Sequence, residues 1–435
     1  MLAFSPSDLL PPPGTHGWTG GFPRPAVLGV SFASTGGTLD GAVQDLLRQA
    51  LFAWQVVAGV TFVETPWHRA DLVFGFGAPG DNILLPPDPT LRDALKVTGA
   101  ALGLAADLPG ASLSATVMAA EAGPASGLGW ADAEAIAALF GPRAEADAQG
   151  VRWRYDPVLD MVRGDLFAFE SRTVFGGNKG TALFGDIGDD LLIGGAGDDL
   201  FMGGPGQNAY LGGAGRDVVV SGFLRAETTL DFRFQRLSTE WGTDQWDQVE
   251  YLRFRDGGFA LHQQENAALV DRLYQALLLR PADPTGLTTW TRFLETGGTG
   301  EQLIGRITGS PEYRERFGTP DAAALARAMA ALEPAPDALL DTPIWVPNKA
   351  AVLAVRFHLL VAGAAPDRAR FDTWFAALEA APDHADAAQA FLDAHPGHGY
   401  ASGQALLDTA WSLPVIRATA PWVDQGVVLS DPWLL

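Results

Sequence analysis

The chain has 435 residues, enough for roughly two to four domains that each bury a core of their own. A hydrophobic content of 47% is typical of a globular protein, and the net charge of −22 argues against nucleic acid or an anionic membrane as the main partner. The absence of cysteine excludes disulfides and thiolate metal sites.

The N-terminal residues 1–14 lack both a basic segment and a continuous apolar segment, so we expect no cleavable export signal. No apolar run reaches the roughly 18–20 residues of a transmembrane helix, so we also expect no membrane-spanning segment. Any export would then have to use another signal.

Residues 24–80 alternate between strand and helix patterns. A β-rich run at 26–33 precedes residues 43–58, whose apolar side chains recur at helical spacing, and 60–63 and 71–77 predict two further strands. This order resembles the start of serralysin-like and matrixin-like metalloproteases, which are metzincins.

The segment 96–106, KVTGAALGLAA, aligns with the metzincin zinc motif HExxHxxGxxH. The resemblance puts the three zinc-ligand positions and the general-base position on residues without that chemistry: Lys96, Ala100 and Ala106 for the ligands, and Val97 for the base. It therefore implies a protease scaffold that binds no zinc and has no catalytic residue. Alternatively, the segment is an alanine-rich helix that ends at a glycine, and that reading gives no catalysis either.

Two later segments support the same resemblance. Residues 116–120 resemble the Met-turn through Met118, and residues 132–141 resemble the helix that ends serralysin catalytic domains. Asp107 adjoins the third ligand position but cannot hold zinc alone. We expect residues 1–145 to form a metzincin-like pseudo-protease domain.

Residues 176–220 repeat every nine residues with the template GGxGxDxUx. Glycines at positions 1, 2 and 4 permit tight turns with positive φ, the aspartate at position 6 supplies a carboxylate, and the residue at position 8 points inward. A flexible glycine-rich linker, the alternative, would not keep a fixed apolar period at Leu192, Phe201, Tyr210 and Val219. The pattern is identified as the RTX nonapeptide, a calcium-binding β-helix repeat.

The calcium ligands should come from pairs of repeats, because successive repeats alternate sides of such a roll. Asp199 and Asp217 form one complete carboxylate pair, and Asp190 faces the neutral Asn208. Thr181 faces Asp199 and is expected to contribute little to a calcium site. We expect two or three Ca²⁺ ions. The glycines expected to bring turn carbonyls to them are Gly188, Gly195, Gly197, Gly213 and Gly215.

Residues 242–261 are strand-rich and resemble the cap that closes RTX rolls in serralysin-type proteins. The segment 249–257, VEYLRFRDG, matches the V-E-x-L-x-F-x-D-G core of that cap. We therefore assign residues 146–262 to a parallel β-roll with its β cap.

Two stretches of the C-terminal third, 267–294 and 351–378, match at an offset of 84 residues. The matched positions are Arg272 with Arg356, Asp283 with Asp367, Leu287 with Phe371, Trp290 with Trp374 and Leu294 with Leu378. We predict an internal duplication in which each copy is a helix, a polar turn and a helix. The first copy resembles a helical domain found in RTX and surface-layer proteins, distantly related to the phycobilisome-linker core, which suggests an adhesive or assembly role.

The last residues, Asp431 followed by Trp433, Leu434 and Leu435, resemble an uncleaved type I secretion signal. The fold class we predict is multidomain α+β. The domains are the metzincin-like domain at 1–145, the roll and cap at 146–262, and all-α helical repeats at 263–320 and 340–435.

The function predicted from these parts is that of a secreted, non-catalytic calcium-binding protein in extracellular binding, adhesion or assembly. Its expected partners are an extracellular protein or glycan and, during export, a type I exporter, with no nucleic acid. Three alternatives stay open: a metallopeptidase with a non-standard site, a structural component of an extracellular layer or appendage, and an inhibitor or decoy derived from a protease.

Overall fold

A computed structural model of the protein describes residues 9–10 and 24–412, except 79, 109–110, 113–114, 121–122, 125–126, 168, 263, 283 and 334–338. The terminal segment proposed as a secretion signal lies outside these residues, as does Asp283. The chain divides into two compact units. The first comprises Met1–Val218, Phe232–Arg236 and Glu240–Val249, and the second comprises Val219–Asp231, Leu237–Thr239 and Glu250–Leu435.

The described residues form a mixed α+β structure, as predicted. The strands are β1 (Ala26–Ser31), β2 (Ala33–Ser34), β3 (Gly37–Thr38), β4 (Val60–Glu64), β5 (Leu72–Gly75), β6 (Ile83–Leu84), β7 (Val151–Asp156), β8 (Met161–Leu166), β9 (Thr173–Phe175), β10 (Thr181–Phe184), β11 (Leu191–Ala196), β12 (Leu200–Met202), β13 (Ala209–Ala214), β14 (Val218–Val220), β15 (Thr229–Asp231), β16 (Arg236–Thr239), β17 (Gly242–Asp247), β18 (Tyr251–Phe254), β19 (Gly257–His262) and β20 (Leu339–Pro347). The helices are α1 (Gly41–Gln55), α2 (Leu91–Ala101), α3 (Trp130–Phe140), α4 (Arg143–Ala148), α5 (Asn266–Leu278), α6 (Pro284–Glu295), α7 (Gly300–Thr308), α8 (Pro311–Phe317), α9 (Ala322–Leu332), α10 (Lys349–Ala362), α11 (Arg368–Ala380), α12 (His384–Ala394) and α13 (Gly403–Ser412).

The N-terminal part of the first unit is a parallel sheet in the order β4–β1–β5–β6, packed with helices α1, α2 and α3. Every residue of β1 is buried, as expected for a central strand that is covered on both faces. Asp40 begins α1 by accepting hydrogen bonds from the first-turn amides, and Thr90 and Asp93 form a capping box at α2. These elements lie where the sequence predicted them, while the resemblance to a metzincin stays a prediction.

The second part of the first unit is a roll of short parallel strands. Strand β10 pairs in parallel with β8 and β12, while β11 pairs in parallel with β9 and β13, and β13 pairs with β17. Strands that follow each other in the chain therefore alternate between two sheets. This is the β-roll topology that the nine-residue period predicts.

The second unit contains an antiparallel sheet in the order β18–β19–β20 and helices α5 to α13. The prediction of an all-α C-terminal third is incomplete, because β20 lies between α9 and α10. Pro343 lies in this strand, which is at the edge of the sheet. Proline has no amide donor and is tolerated in an edge strand, because a strand there pairs on one side only. Trp345 is buried and its ring lies 4.8 Å from that of Phe259 on β19.

The helix pairs of the second unit begin at nearly the same offset that the sequence match gave. Helix α11 starts 84 residues after α6, and the left-handed residues that end α5 and α10, Leu279 and Gly363, are separated by the same interval. Leu287 and Phe371, which match at that offset, are both buried. The duplication itself stays a prediction. Within the described residues, no helix is both long enough and apolar enough to cross a membrane.

Candidate calcium site

The turns of the roll rely on glycines in the left-handed region of φ. Gly195 has φ +127° and Gly213 has φ +109°, and the corresponding angles of Gly188, Gly197 and Gly215 are also positive. A Cβ atom on Gly213 would lie 2.2 Å from the carbonyl oxygen of Gly195, two repeats earlier. Only glycine therefore allows the turns to stack this closely, and the close stacking lines up their carbonyl oxygens.

The apolar positions of the repeat fill the interior of the roll. Leu192 lies opposite Tyr210 in the β11–β13 pair, and Leu183 lies opposite Phe201 in the β10–β12 pair. All four side chains are buried, and so is Val219. The apolar interior fixes the register, so that position 6 of one turn stacks on position 6 of the turn two repeats away.

One edge of the roll carries a ladder that we call the first row: Thr181, Asp199 and Asp217. The amide of Asp199 donates to Oδ1 of Asp217 at 2.8 Å, and the amide and hydroxyl of Thr181 donate to Oδ1 of Asp199 at 2.6 and 2.7 Å. All three residues are buried. The predicted pairing at intervals of 18 residues is thus present in the geometry.

Asp199 is buried, and no cationic side chain among the described residues forms an ion pair with it. Its Oδ2 atom accepts no hydrogen bond from the described residues. Burial raises the pKa of the Asp199 carboxyl to about 8, the hydrogen bonds from Thr181 oppose this change, and the negative charges of Asp217 and Asp198 add to it. A buried carboxylate with a free oxygen and a second carboxylate beside it is an arrangement that a divalent cation stabilises.

The opposite edge carries the second row: Asp190, Asn208 and Asp244. The amide of Asp190 donates to Oδ1 of Asn208 at 3.1 Å, and the amide of Asn208 donates to Oδ1 of Asp244 at 2.9 Å. The Asp190 Oδ2 atom also accepts no hydrogen bond from the described residues, and burial raises the pKa of this carboxyl.

Asp244 is the site residue that our reading of the sequence missed. It lies outside the five glycine repeats, on β17, yet it follows Asn208 by 36 residues, which is a whole number of nine-residue periods. Continuing the count of nine past Val220 would have found it.

Oxygen atoms from stacked turns, rather than a cluster of side chains, must complete any calcium site here. Within the parts of the chain that the structure describes, no three His, Asp or Glu side chains lie close enough together to hold one metal ion. Carboxylates from two turns together with the carbonyls aligned by the glycines offer the oxygen ligands that Ca²⁺ prefers. The arrangement therefore fits Ca²⁺ and no metal that prefers nitrogen or sulfur.

The residues at the predicted zinc-ligand positions lie on α2 and the turn after it. Lys96 forms an ion pair with Asp107 through its Nζ atom, while Ala100 and Ala106 are exposed. Val97 packs at the edge of the apolar core. At the positions that the sequence resemblance assigned to zinc ligands and a general base, the structure thus has an ammonium group and apolar side chains.

The loop that carries Met118 packs beneath α2. The Met118 side chain is buried, and a Cβ atom on Gly99 of α2 would lie 2.9 Å from its sulfur and 2.7 Å from the Trp54 ring. The buried Asp132 accepts hydrogen bonds from the Thr116 hydroxyl and the Val117 amide and so holds the loop in place.

Comparison with known proteins identifies the repeats. Residues 182–220 match the RTX calcium-binding nonapeptide repeat, in four copies. The match confirms the sequence-based identification of this segment, and RTX repeats indicate calcium binding and are typical of secreted proteins. It covers neither the N-terminal part nor the C-terminal helices. A search of the curated proteins finds no match.

Proposed function

We propose that this chain is a secreted calcium-binding protein whose RTX roll folds fully only when it binds Ca²⁺. The proposal is carried by the buried Oδ2 atom of Asp199, which accepts no hydrogen bond from any residue that the structure describes. In a cytoplasm low in calcium, the carboxylates of the first row would have no counter-ion, and the roll would stay open for passage through a type I exporter. Outside the cell, Ca²⁺ would bridge the turns, so that its binding energy contributes to folding.

Calcium titration of the full chain tests this proposal. Far-UV circular dichroism in a chelator and in millimolar Ca²⁺ should show a calcium-dependent gain of strand signal, and isothermal titration calorimetry should show tight binding. The double variant Asp199→Asn with Asp217→Asn should lose the high-affinity component, while Asp198→Asn, an exposed neighbour, should keep it. If the spectra in chelator and in calcium are identical, calcium-driven folding is wrong.

We also propose that the N-terminal part performs no peptide hydrolysis. The support is chemical: Lys96 is held by Asp107, and Val97, Ala100 and Ala106 have no atom that can bind zinc or accept a proton. Zinc analysis by mass spectrometry and a casein digestion assay test this. Stoichiometric zinc together with turnover would favour the alternative of a metallopeptidase with a non-standard site.

The role proposed for the intact protein is binding, adhesion or assembly outside the cell, with an extracellular protein or glycan as partner. It rests on the resemblance of the C-terminal helices to a domain of RTX and surface-layer proteins. Size-exclusion chromatography with and without calcium separates a monomeric adhesin from a structural component of an extracellular layer, because only the latter should assemble when calcium is added.

A further inference from the structure

The second row ends in three polar side chains that bond to one another: Asn208, Tyr210 and Asp244. We call this group the second-row junction. All three lie in the first unit: Asn208 directly precedes β13, Tyr210 lies on β13, and Asp244 lies on β17. The junction differs in its chemistry from the first row, although both are built on the same repeat.

The amide of Asn208 is oriented by its hydrogen bonds. Its Oδ1 atom accepts from the Asp190 amide at 3.1 Å, so its nitrogen must face the other way. That Nδ2 atom donates to the carbonyl oxygen of Gly204 and to Oδ1 of Asp244, both at 3.1 Å. An NH2 group has two donors and no lone pair to offer a cation, and both donors are in use.

In the first row, an oxygen atom of Asp199 occupies the position that corresponds to the side-chain nitrogen of Asn208. There, Oδ1 of Asp199 accepts from the turn before, and the free Oδ2 atom corresponds to the nitrogen of Asn208. At this position, the first row thus presents a buried oxygen that needs a cation, while the second row presents an N–H donor that binds the surrounding oxygens directly.

The Tyr210 hydroxyl completes the junction. It donates to Oδ2 of Asp244 at 2.7 Å and accepts from the Gly203 amide at 3.2 Å. Gly203 makes room for it, because a Cβ atom there would lie 2.4 Å from the hydroxyl oxygen. Both oxygens of the Asp244 carboxylate therefore have hydrogen-bond donors from the protein.

We propose that the second-row junction is a metal-free closure of the roll, in which the Asn208 amide and the Tyr210 hydroxyl take the place of Ca²⁺. Calcium then binds on the first row and at Asp190, and this end of the second row keeps its register without calcium. The inference rests on the proposed function, since it states which part of the same roll depends on the ion.

The variant Asn208→Asp tests the junction directly. It puts an oxygen where the nitrogen donates to Gly204 and Asp244, so two carboxylates would face each other and need a cation between them. We expect one additional Ca²⁺ per chain in native mass spectrometry and in calorimetry. In chelator we expect this variant to unfold at a lower urea concentration than the native protein.

Two further variants keep the test decisive if Asn208→Asp does not fold. Asn208→Ala and Tyr210→Phe should bind as many calcium ions as the native protein, and Tyr210→Phe should lower the urea midpoint equally in chelator and in calcium. The loss of one ion in Asn208→Ala would show that Asn208 is a ligand and would overturn the proposal. So would an Asn208→Asp protein with unchanged ion count and unchanged stability in chelator.

These results are separable from a failure of the proposed function. If the native protein binds no Ca²⁺, the proposed function is wrong. The Tyr210→Phe measurement in chelator still reports on the junction in that case, because an unchanged midpoint would mean that the hydrogen bonds to Asp244 do not close the roll.

Discussion

Replacing Asp199 by asparagine should make the calcium-free roll more stable at neutral pH while removing most of its response to calcium. The reason is the buried charge. In the absence of a cation, burial raises the pKa of Asp199 from 3.8 to about 8, so ionising this carboxyl in the folded roll is costly. Asparagine carries no charge, and Asn208 shows that the turn accommodates its amide, which donates to the carbonyl of Gly204 in its own turn.

Proton linkage gives the sign and the size of the pH dependence of the free energy of unfolding. The folded roll binds the Asp199 proton more tightly than the unfolded chain, so the free energy of unfolding is highest below pH 4 and falls as the pH rises to 8. A pKa raised by about four corresponds to about 6 kcal/mol, an upper limit because the turns can relax around the charge. The free energy of unfolding of the Asp199→Asn variant should not depend on pH in this way. At pH 8 in chelator it should be higher than that of the native protein.

Hydrogen–deuterium exchange of peptides within 181–217 measures this local stability. After correction for intrinsic exchange, protection of the native roll in chelator should fall by up to about 500-fold between pH 5 and pH 8, while Asp199→Asn should change little. Asp198→Asn is the matched control: it removes a charge from an exposed neighbour whose contribution to the raised pKa of Asp199 is the smallest, so it should keep most of the native slope.

Two outcomes would refute the reasoning. One is a native roll whose protection in chelator is the same at pH 5 and pH 8, because Asp199 would then not be buried as a costly charge. The other is an Asp199→Asn roll that gains as much protection from Ca²⁺ as the native roll, because the carboxylate would then not be a ligand.

Three other substitutions have expected outcomes. Phe201→Ala, at a fully buried position of the roll interior, should lower the free energy of unfolding by about 3–5 kcal/mol. The measurement is urea denaturation in saturating calcium, and a loss below about 1 kcal/mol would mean that the interior is not packed. Gly213→Ala should lower the free energy of unfolding by more than about 3 kcal/mol in the same assay, because φ is +109° there and the new Cβ would lie 2.2 Å from a carbonyl oxygen. Gly222→Ala is the control: a Cβ there meets no atom within 4 Å, so the free energy of unfolding should change little. Asp132→Ala should lower the free energy of unfolding by about 3 kcal/mol or more, because it leaves three hydrogen-bond donors without their acceptor. Calorimetry should show this loss of stability without a change in the number of calcium ions bound.

The roll could be predicted from sequence because its physics is local and periodic. A count of nine fixes which residues point inward, and Phe201 and Tyr210 are buried as that count requires. Together with the alternation of sides that the RTX resemblance implies, it also predicts that Asp199 stacks on Asp217, and the two residues are hydrogen-bonded. The period does not reveal that both N–H groups of the Asn208 side chain are in use, because one acceptor is the Gly204 carbonyl and the other is Asp244, a residue in a segment with no glycine template.

Other parts of the structure depend on contacts that a local pattern does not contain. Strand β20 pairs with β19 across more than 75 residues of chain, and its side-chain pattern is short and interrupted by Pro343, so it was not predicted. The ion pair between Lys96 and Asp107 joins a helix to the turn after it. The sequence showed that Lys96 could not serve as a zinc ligand, but its partner became clear only from the fold.

Within each row of the roll, the hydrogen bonds from backbone amides to side chains run in one direction. In each case the amide of the earlier turn donates to the side chain of the later turn, as in Thr181 to Asp199 and Asn208 to Asp244. Other hydrogen bonds between the same turns run the opposite way: the amides of Ala209 and Val218 donate to the carbonyl oxygens of Asp190 and Asp199, and the Arg216 amide donates to Oδ1 of Asp198. Removing the stacked turn on either side therefore leaves a backbone amide without its acceptor, so each inner turn of the roll depends on both turns that it stacks against.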